Sequence, residues 1–121
     1  MGELIVGTSG FSYDDWIGPV YPPGTPKSRM LEQYPQRLNG LEINYTYYRM
    51  PTARAMESLV ERSAGRLKLS VKLTDIFTHQ RTADEGDAEA FREALIPLCE
   101  GGVLGCILAQ FPYSFGASKG N

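Results

Sequence analysis

The sequence predicts an α/β protein with a parallel sheet, specifically the first half of a TIM-type (β/α)8 barrel. Short apolar segments alternate with helical patterns in a strand–helix order, which is typical of βαβ units. Polar residues fall on one face of two middle strands. The chain has 121 residues, whereas a complete barrel needs about 250. We therefore expect one domain, residues 1–121, with four βα units and the fourth helix missing.

The first βα unit contains a long loop. A strand is predicted over Glu3–Thr8 from a short apolar run. Residues 9–26 are rich in Gly and Pro and predict a loop, and loops of this length are often functional. A helix capped by Ser28 is expected to run to about Leu38, with Pro35 kinking or ending it.

The second and third units are regular in pattern. A second strand is predicted over Leu41–Tyr45, and Pro51 and Thr52 then begin a helix that closes at Gly65. The third strand, Leu67–Leu73, alternates apolar and polar residues, which predicts one buried face and one polar face.

The last unit lacks its helix. A polar loop from Thr74 to Asp87 leads to a helix over Ala88–Cys99, whose end Pro97 should distort. A fourth strand is predicted over Gly105–Phe111. Residues 116–121 are small and polar and are expected to form a truncated loop or tail where the fourth helix should begin.

The polar strand faces favour a barrel over an open doubly wound sheet. Central strands of a doubly wound sheet are apolar on both faces. Here the third strand carries Lys68, Ser70 and Lys72 on one face, and the second carries Glu42 and Asn44. Such residues suit the inside of a barrel near its C-terminal mouth.

Composition narrows the class of protein. A hydrophobic content of 42% indicates a globular chain, and a formal net charge of −2 gives no support for a strongly basic nucleic-acid surface. Cys99 and Cys106 fit neither a redox motif nor a zinc spacing and are expected to be buried thiols. No signal peptide or membrane span is apparent, so a cytoplasmic location is expected.

Four motifs resemble those of one family. They are GTSGFSYDDW (Gly7–Trp16), LEINYTYYRMP (Leu41–Pro51), VKLTDIFTH (Val71–His79) and LAQFPYSF (Leu108–Phe115). In this order they are similar to the signatures of the YecE-like family, domain of unknown function 72. The resemblance implies a (β/α)8-type barrel in a bacterial or archaeal cytoplasmic protein, and no established reaction. The chain departs from the family in lacking the second half and in having Pro35 within a helix.

Barrel sites lie at the C-terminal ends of the strands, and there the sequence places three candidate catalytic residues. Glu42 should pair with Lys72 on the adjacent strand, either for acid/base chemistry and anion binding or as a structural salt bridge. His79, the only histidine, is a candidate general base or metal ligand, or else a hydrogen-bonded loop residue. One histidine cannot build a multi-histidine metal site, so no metal site is predicted from this chain alone.

Other residues at the same edge are candidates for ligand binding. The Gly7–Gly10 turn could admit an anion to backbone amides, or could simply be a tight turn. Aromatic rings, including Tyr47, could stack on a sugar or base or cap the barrel. The predicted ligand-binding residues are Thr8, Ser9, Trp16, Asn44, Tyr48, Arg49, Arg81 and Gln110.

Three functional hypotheses follow. The first is binding of a small anionic ligand, phosphorylated or sugar-like, with acid/base chemistry (a hydrolase, lyase or isomerase) if the second barrel half is present. The second is a nucleic-acid-binding or nucleic-acid-processing barrel, which the net charge does not favour. The third is a chain without activity of its own that self-associates, because half a barrel leaves two open sheet edges. No membrane partner is expected, and the cofactor is unknown.

Overall fold

The structure is a computed structural model that describes residues 2–121, and it contains a four-stranded parallel sheet. Each strand pairs with its neighbour in the sequence, in the order β1-β2-β3-β4. The predicted α/β fold with a parallel sheet is therefore confirmed. The strands are β1 (Gly7–Ser9), β2 (Gly40–Ile43), β3 (Lys68–Lys72) and β4 (Leu104–Leu108).

Helical segments connect the strands and vary in length. The α-helices are α1 (Met30–Gln33), α2 (Ala53–Arg62), α3 (Asp75–Thr78), α4 (Glu85–Ala94) and α5 (Ile96–Glu100). Four short 3-10 turns accompany them: Asp14–Trp16, Lys27–Arg29, Tyr34–Gln36 and Tyr45–Tyr47.

The core lies on one face of the sheet. Leu41 and Ile43 of β2 and Leu69 and Val71 of β3 are buried among apolar side chains from the helices. Among the alternate residues, Glu42 of β2 and Lys68, Ser70 and Lys72 of β3 are only partly buried. This is the alternation that the sequence of the third strand predicts, and it leaves the other face of the sheet polar and open.

The first strand is shorter than predicted. It begins at Gly7 because Gly7 pairs with Gly40, the first residue of β2, and the preceding segment has no strand beside it. The backbone of that segment is tied instead to the Asn39 side chain, which accepts from the Val6 N–H at 2.7 Å and donates to the Leu4 carbonyl at 2.8 Å. Leu4 remains 79% exposed.

The helix expected from Ser28 to Leu38 is broken into short pieces. Ser28 lies inside a 3-10 turn and does not cap α1. Pro35 opens another 3-10 turn after only four α-helical residues, because proline cannot donate the next backbone hydrogen bond. The predicted interruption at Pro35 is confirmed, and the prediction of one long helix is wrong.

Side-chain caps set the starts of the two longest helices, α2 and α4. Thr52 accepts from the Ala55 N–H at 3.2 Å, as the sequence predicts. The polar loop over 74–87 is wrong in part, because it contains α3 and the start of α4. Asp84 caps α4 four residues before the predicted start. Pro97 separates α5 from α4 at Leu95, as expected.

The other strand ends and the cysteines also differ from prediction. β2 stops at Ile43 because the chain then enters the turn Tyr45–Tyr47, and β4 stops at Leu108. Both cysteines are free and exposed rather than buried. Cys106 lies on the open face, with its Sγ 3.2 Å from Ser70 Oγ. Within residues 2–121, no helix is long and apolar enough to cross a membrane.

Candidate functional site

The C-terminal end of β3 is joined to the turn after β2 by a buried threonine. Thr46 Oγ1 donates to the Lys72 carbonyl at 2.6 Å and lies 3.2 Å from the Ile43 carbonyl. The turn Tyr45–Tyr47 is thereby fixed against the end of β3. As a result, the ring of Tyr47 lies over the Lys72 side chain.

A cation and three rings meet at this point. Lys72 Nζ is 4.8 Å from the centroid of the Tyr47 ring, within the range of a cation–π contact. The rings of Tyr48 and His79 each meet Tyr47 edge-on at 5.0 Å. Thr78 Oγ1 lies 2.9 Å from His79 Nδ1. We call Lys72, Tyr47, Tyr48 and His79 the lysine–tyrosine cluster.

The lysine of this cluster is not paired with a carboxylate. Among residues 2–121, the three ion pairs all lie elsewhere on the surface, so the predicted Glu42–Lys72 pair is wrong. The strand register gives the reason. Glu42 lies beside Ser70, which leaves Lys72 two residues, or about 7 Å, farther along β3.

Glu42 instead belongs to a second group, at the end of β1. Ser9 Oγ donates to Glu42 Oε1 at 3.2 Å, and Tyr13 Oη donates to the Ser9 carbonyl at 2.5 Å. The Gly10 N–H also donates to the Glu42 carbonyl at 3.0 Å. The carboxylate is therefore positioned by the first loop and retains free acceptor capacity.

Asn44 follows β2, which lies between these two groups. Its side-chain oxygen is buried and has no hydrogen-bond partner, although a buried acceptor normally has one. Asn44 also lines a groove of about 410 Å³ that runs between the first loop and α2, with Tyr13, Tyr45 and Arg62 among its other walls. A donor on a ligand or a water molecule would satisfy the Asn44 oxygen.

The open face of the sheet forms a second concavity. It is also about 410 Å³ in volume and is lined by Ile5, Ser9, Glu42, Ser70 and Cys106, among others. We call this concavity the polar hollow, because the side chains of Ser9, Glu42 and Ser70 line it; its lining residues come from all four strands.

Two predicted ligand-binding residues, Thr8 and Trp16, make contacts within the fold. Thr8 Oγ1 lies 2.8 Å from Tyr34 Oη, and the Thr8 N–H donates to the same oxygen at 2.9 Å. Trp16 packs between Tyr13, at 4.7 Å, and Tyr21, at 6.0 Å. The structure therefore places both residues apart from the lysine–tyrosine cluster.

The remaining predicted residues lie around the rim. Arg49 lies over the Tyr45 ring at 5.4 Å. Burial raises the pKa of the Tyr45 phenol, against the opposing charge of Arg49. Arg81 lies over the Phe115 ring at 5.6 Å, in contact with the C-terminal tail. Gln110 is exposed and follows the end of β4.

Comparison with known proteins assigns the chain to a family. Residues 5–120 match the family described as protein of unknown function DUF72. The chain belongs to the DUF72 family. The resemblance predicted from the four motifs is thus confirmed, and it extends over nearly the whole sequence.

Relatives of this DUF72 chain are about twice its length. A DUF72 family protein from Thermotoga maritima has a TM-score of 0.77 and 36% identity, over 95% of this chain and 46% of that one. The UPF0759 protein YunF of Bacillus subtilis is 28% identical over 98% of this chain and 43% of its own length. A DUF72 protein from Enterococcus faecalis shares the fold, with a TM-score of 0.77 at 24% identity.

Sequence reasoning missed two residues that position the candidate site. Thr46 joins the two strand ends, and Tyr13 positions Ser9. Both stand within the family motifs, but their hydrogen bonds are to backbone oxygens, for which the sequence carries no signal. In the described part of the chain, no group of three His, Cys, Asp or Glu side chains is placed to hold a metal ion.

Proposed function

We propose that this DUF72 chain forms about half of a (β/α)8 barrel and that its polar hollow is part of the barrel interior. The support is the sequential order of four parallel strands, together with apolar packing on one face and polar residues on the other. Barrel enzymes have their sites at the C-terminal ends of such strands. The lysine–tyrosine cluster lies at that edge.

The function that this edge supports best is binding of a small anionic ligand, phosphorylated or sugar-like. The observation that carries the proposal is the Lys72 ammonium group, which lies over the Tyr47 ring and has no carboxylate within ion-pair distance in the described residues. The same ring contacts His79. A partly buried cation without a counter-ion attracts an anion. Exposed Tyr48 and Arg49 extend the same surface.

Each residue then has a distinct role. Lys72 and Arg49 bind the anionic group, and the tyrosine rings pack against the body of the ligand. Asn44 offers its unpartnered oxygen to a hydroxyl or amine donor. Glu42, positioned by Ser9, and His79 are the candidate acid/base groups of the site.

The single histidine permits a direct test by NMR, because its imidazole Cε1–H resonance can be identified without assigning the rest of the spectrum. Inorganic phosphate or ribose 5-phosphate is titrated into the protein at constant ionic strength. We expect a saturable change in the chemical shift of His79, from which the affinity for the anion is measured. In K72Q this affinity should be about tenfold weaker, since one charge-assisted hydrogen bond contributes about 1.4 kcal/mol or more.

A matched control lies on the same strand. Lys68 shares the face of Lys72 but binds the Gly102 carbonyl at 2.8 Å, so K68Q should leave the affinity unchanged. A non-saturating response, or equal losses in K68Q and K72Q, would show that the cluster is not the anion site. A tighter and salt-dependent response to a short oligonucleotide would favour the nucleic-acid alternative.

A further inference from the structure

The sheet has two open edges, and apolar residues are exposed at both. Beside β1, Leu4, Ile5 and Val6 are 79%, 46% and 49% exposed. At the other edge, Ile107 of β4 is 48% exposed, and Phe111 beyond it is 39% exposed. Open strand edges bearing apolar residues are templates for pairing with another strand.

The two edges are complementary in direction. All four strands are parallel, so β4 of one copy can pair in parallel with β1 of a second copy. Repeating the same contact on the other side gives eight parallel strands in a closed ring with two-fold symmetry.

The strand register identifies the contact. Ser9, Glu42, Ser70 and Cys106 form one row across the open face. In a (β/α)8 barrel this row returns to its first strand shifted by about eight residues toward the N-terminus. In a ring of two copies the shift is about four residues per copy. Cys106 would then lie beside Ile5 of the second copy, and Ile5 already lines the polar hollow.

We propose that a second copy of this chain closes the sheet, with β4 pairing to the Leu4–Val6 segment of that copy. This pairing supplies the strand partner that the segment lacks in the single chain, and it pairs the open backbone edge of β4. It also completes the polar hollow, of which one chain provides only one wall. The proposal rests on the half-barrel proposed above but is independent of the anionic ligand.

A disulfide across the predicted contact tests the pairing. Neighbouring residues on paired strands are close enough for a disulfide, so I5C is introduced with C99S, leaving Cys106 as the other thiol. After oxidation at micromolar concentration, we expect a covalent dimer on a non-reducing gel. The dimer should disappear on reduction and be absent when C106S is added.

Two controls make the result decisive. In the first control, S28C is introduced and Ile5 is retained. Ser28 is exposed on a 3-10 turn away from both edges, so this variant should cross-link several-fold less than I5C. Light scattering of the unmodified chain should give twice the mass of one 13.4 kDa copy.

A monomeric mass, equal cross-linking of S28C and I5C, or a ladder of trimers and larger species would each overturn the closed pair. A ladder would mean a head-to-tail contact that does not close. If I5C does not fold, the mass of the unmodified chain decides the question. The phosphate titration tests only anion binding at Lys72, whereas the cross-linking and the mass test only the pairing of two copies. Either proposal can therefore fail without the other.

Discussion

Two buried tyrosines connect the first loop and the first two strands through their hydroxyl groups. Tyr34 Oη donates to the Gly40 carbonyl at 2.8 Å and accepts from the Thr8 N–H, so it links β1 to β2. Tyr21 Oη donates to the Phe11 carbonyl at 2.6 Å. The apolar pattern predicts that Tyr34 is buried, but it cannot predict these hydrogen bonds, because their acceptors are backbone atoms that only the fold brings near.

Tyr21 should make the stability of the chain depend on pH in alkaline solution. Burial, assisted by nearby Tyr34, raises the pKa of Tyr21 from 10.0 to about 12. Above pH 10 the unfolded chain releases this proton, whereas the folded chain retains it until about pH 12. The folded state then binds more protons, so the free energy of unfolding falls as pH rises across this interval.

Urea unfolding at several pH values between 9 and 12, on the wild type and on Y21F, measures this effect. At pH 9 the wild type should be more stable, because Y21F lacks the hydrogen bond to Phe11. The difference should shrink as pH rises, since the other tyrosines titrate in both proteins. A difference that stays constant up to pH 12 would contradict the raised pKa.

The candidate site shows which contacts a pattern of residues can predict. The sequence predicts Glu42, Asn44 and Lys72 on one polar face. In the structure, Glu42 and Lys72 are partly buried alternate residues of β2 and β3, whereas Asn44 lies beyond the end of β2 and lines the groove between the first loop and α2. It could not predict that Glu42 lies beside Ser70, because register depends on how two strands are paired. A difference of two residues along a neighbouring strand is enough to replace an ion pair by a separate cation and carboxylate.

At the level of elements, helix α4 begins with a reciprocal cap. The Asp87 N–H donates to Asp84 Oδ1 at 2.8 Å, and the Asp84 N–H donates to Asp87 Oδ2 at 3.0 Å. Two backbone donors that the first turn leaves without partners are thereby satisfied. The start predicted at Ala88 is wrong because it followed the apolar residues alone, and the first turn of α4 is almost entirely polar.

Removing this cap should destabilise the whole chain, because α4 buries Phe91 and Ala94 in the core. We expect D84A to lower the free energy of unfolding by about 1 kcal/mol, as measured by urea denaturation. E93A, at an exposed position near the other end of the same helix, should change it by less than about 0.5 kcal/mol. Equal losses in the two variants would show that the cap contributes nothing specific.

Element ends were harder to predict than element types, for a physical reason. A strand ends where its partner ends, so the apolar run Leu4–Val6 is left unpaired before Gly40 begins β2. Helix α1 ends where Pro35 removes a donor, which is a local cause that the sequence shows directly. Ends with a local cause were therefore predictable, and ends set by a partner were not.

At the scale of the whole molecule, one helix-facing part of the sheet remains uncovered. The side chains of Leu104 and Ile107 in β4 lie with Leu73, Phe77 and Leu95 around an apolar groove of about 320 Å³. The preceding strands have their apolar faces buried by helices, whereas Ile107 is 48% exposed. This groove is the expected consequence of a fourth strand without a following helix in the described residues.

The groove should bind a naphthalene sulfonate dye whose fluorescence increases in apolar surroundings. We expect saturable fluorescence that I107K reduces several-fold, because a lysine at this position places a charge in the groove. I96K is the matched control, since Ile96 is 45% exposed but does not line the groove. The groove lies on the opposite face of the sheet from the polar hollow, so closure by a second copy should not abolish the fluorescence. Equal effects of the two lysine variants would mean that the dye binds elsewhere.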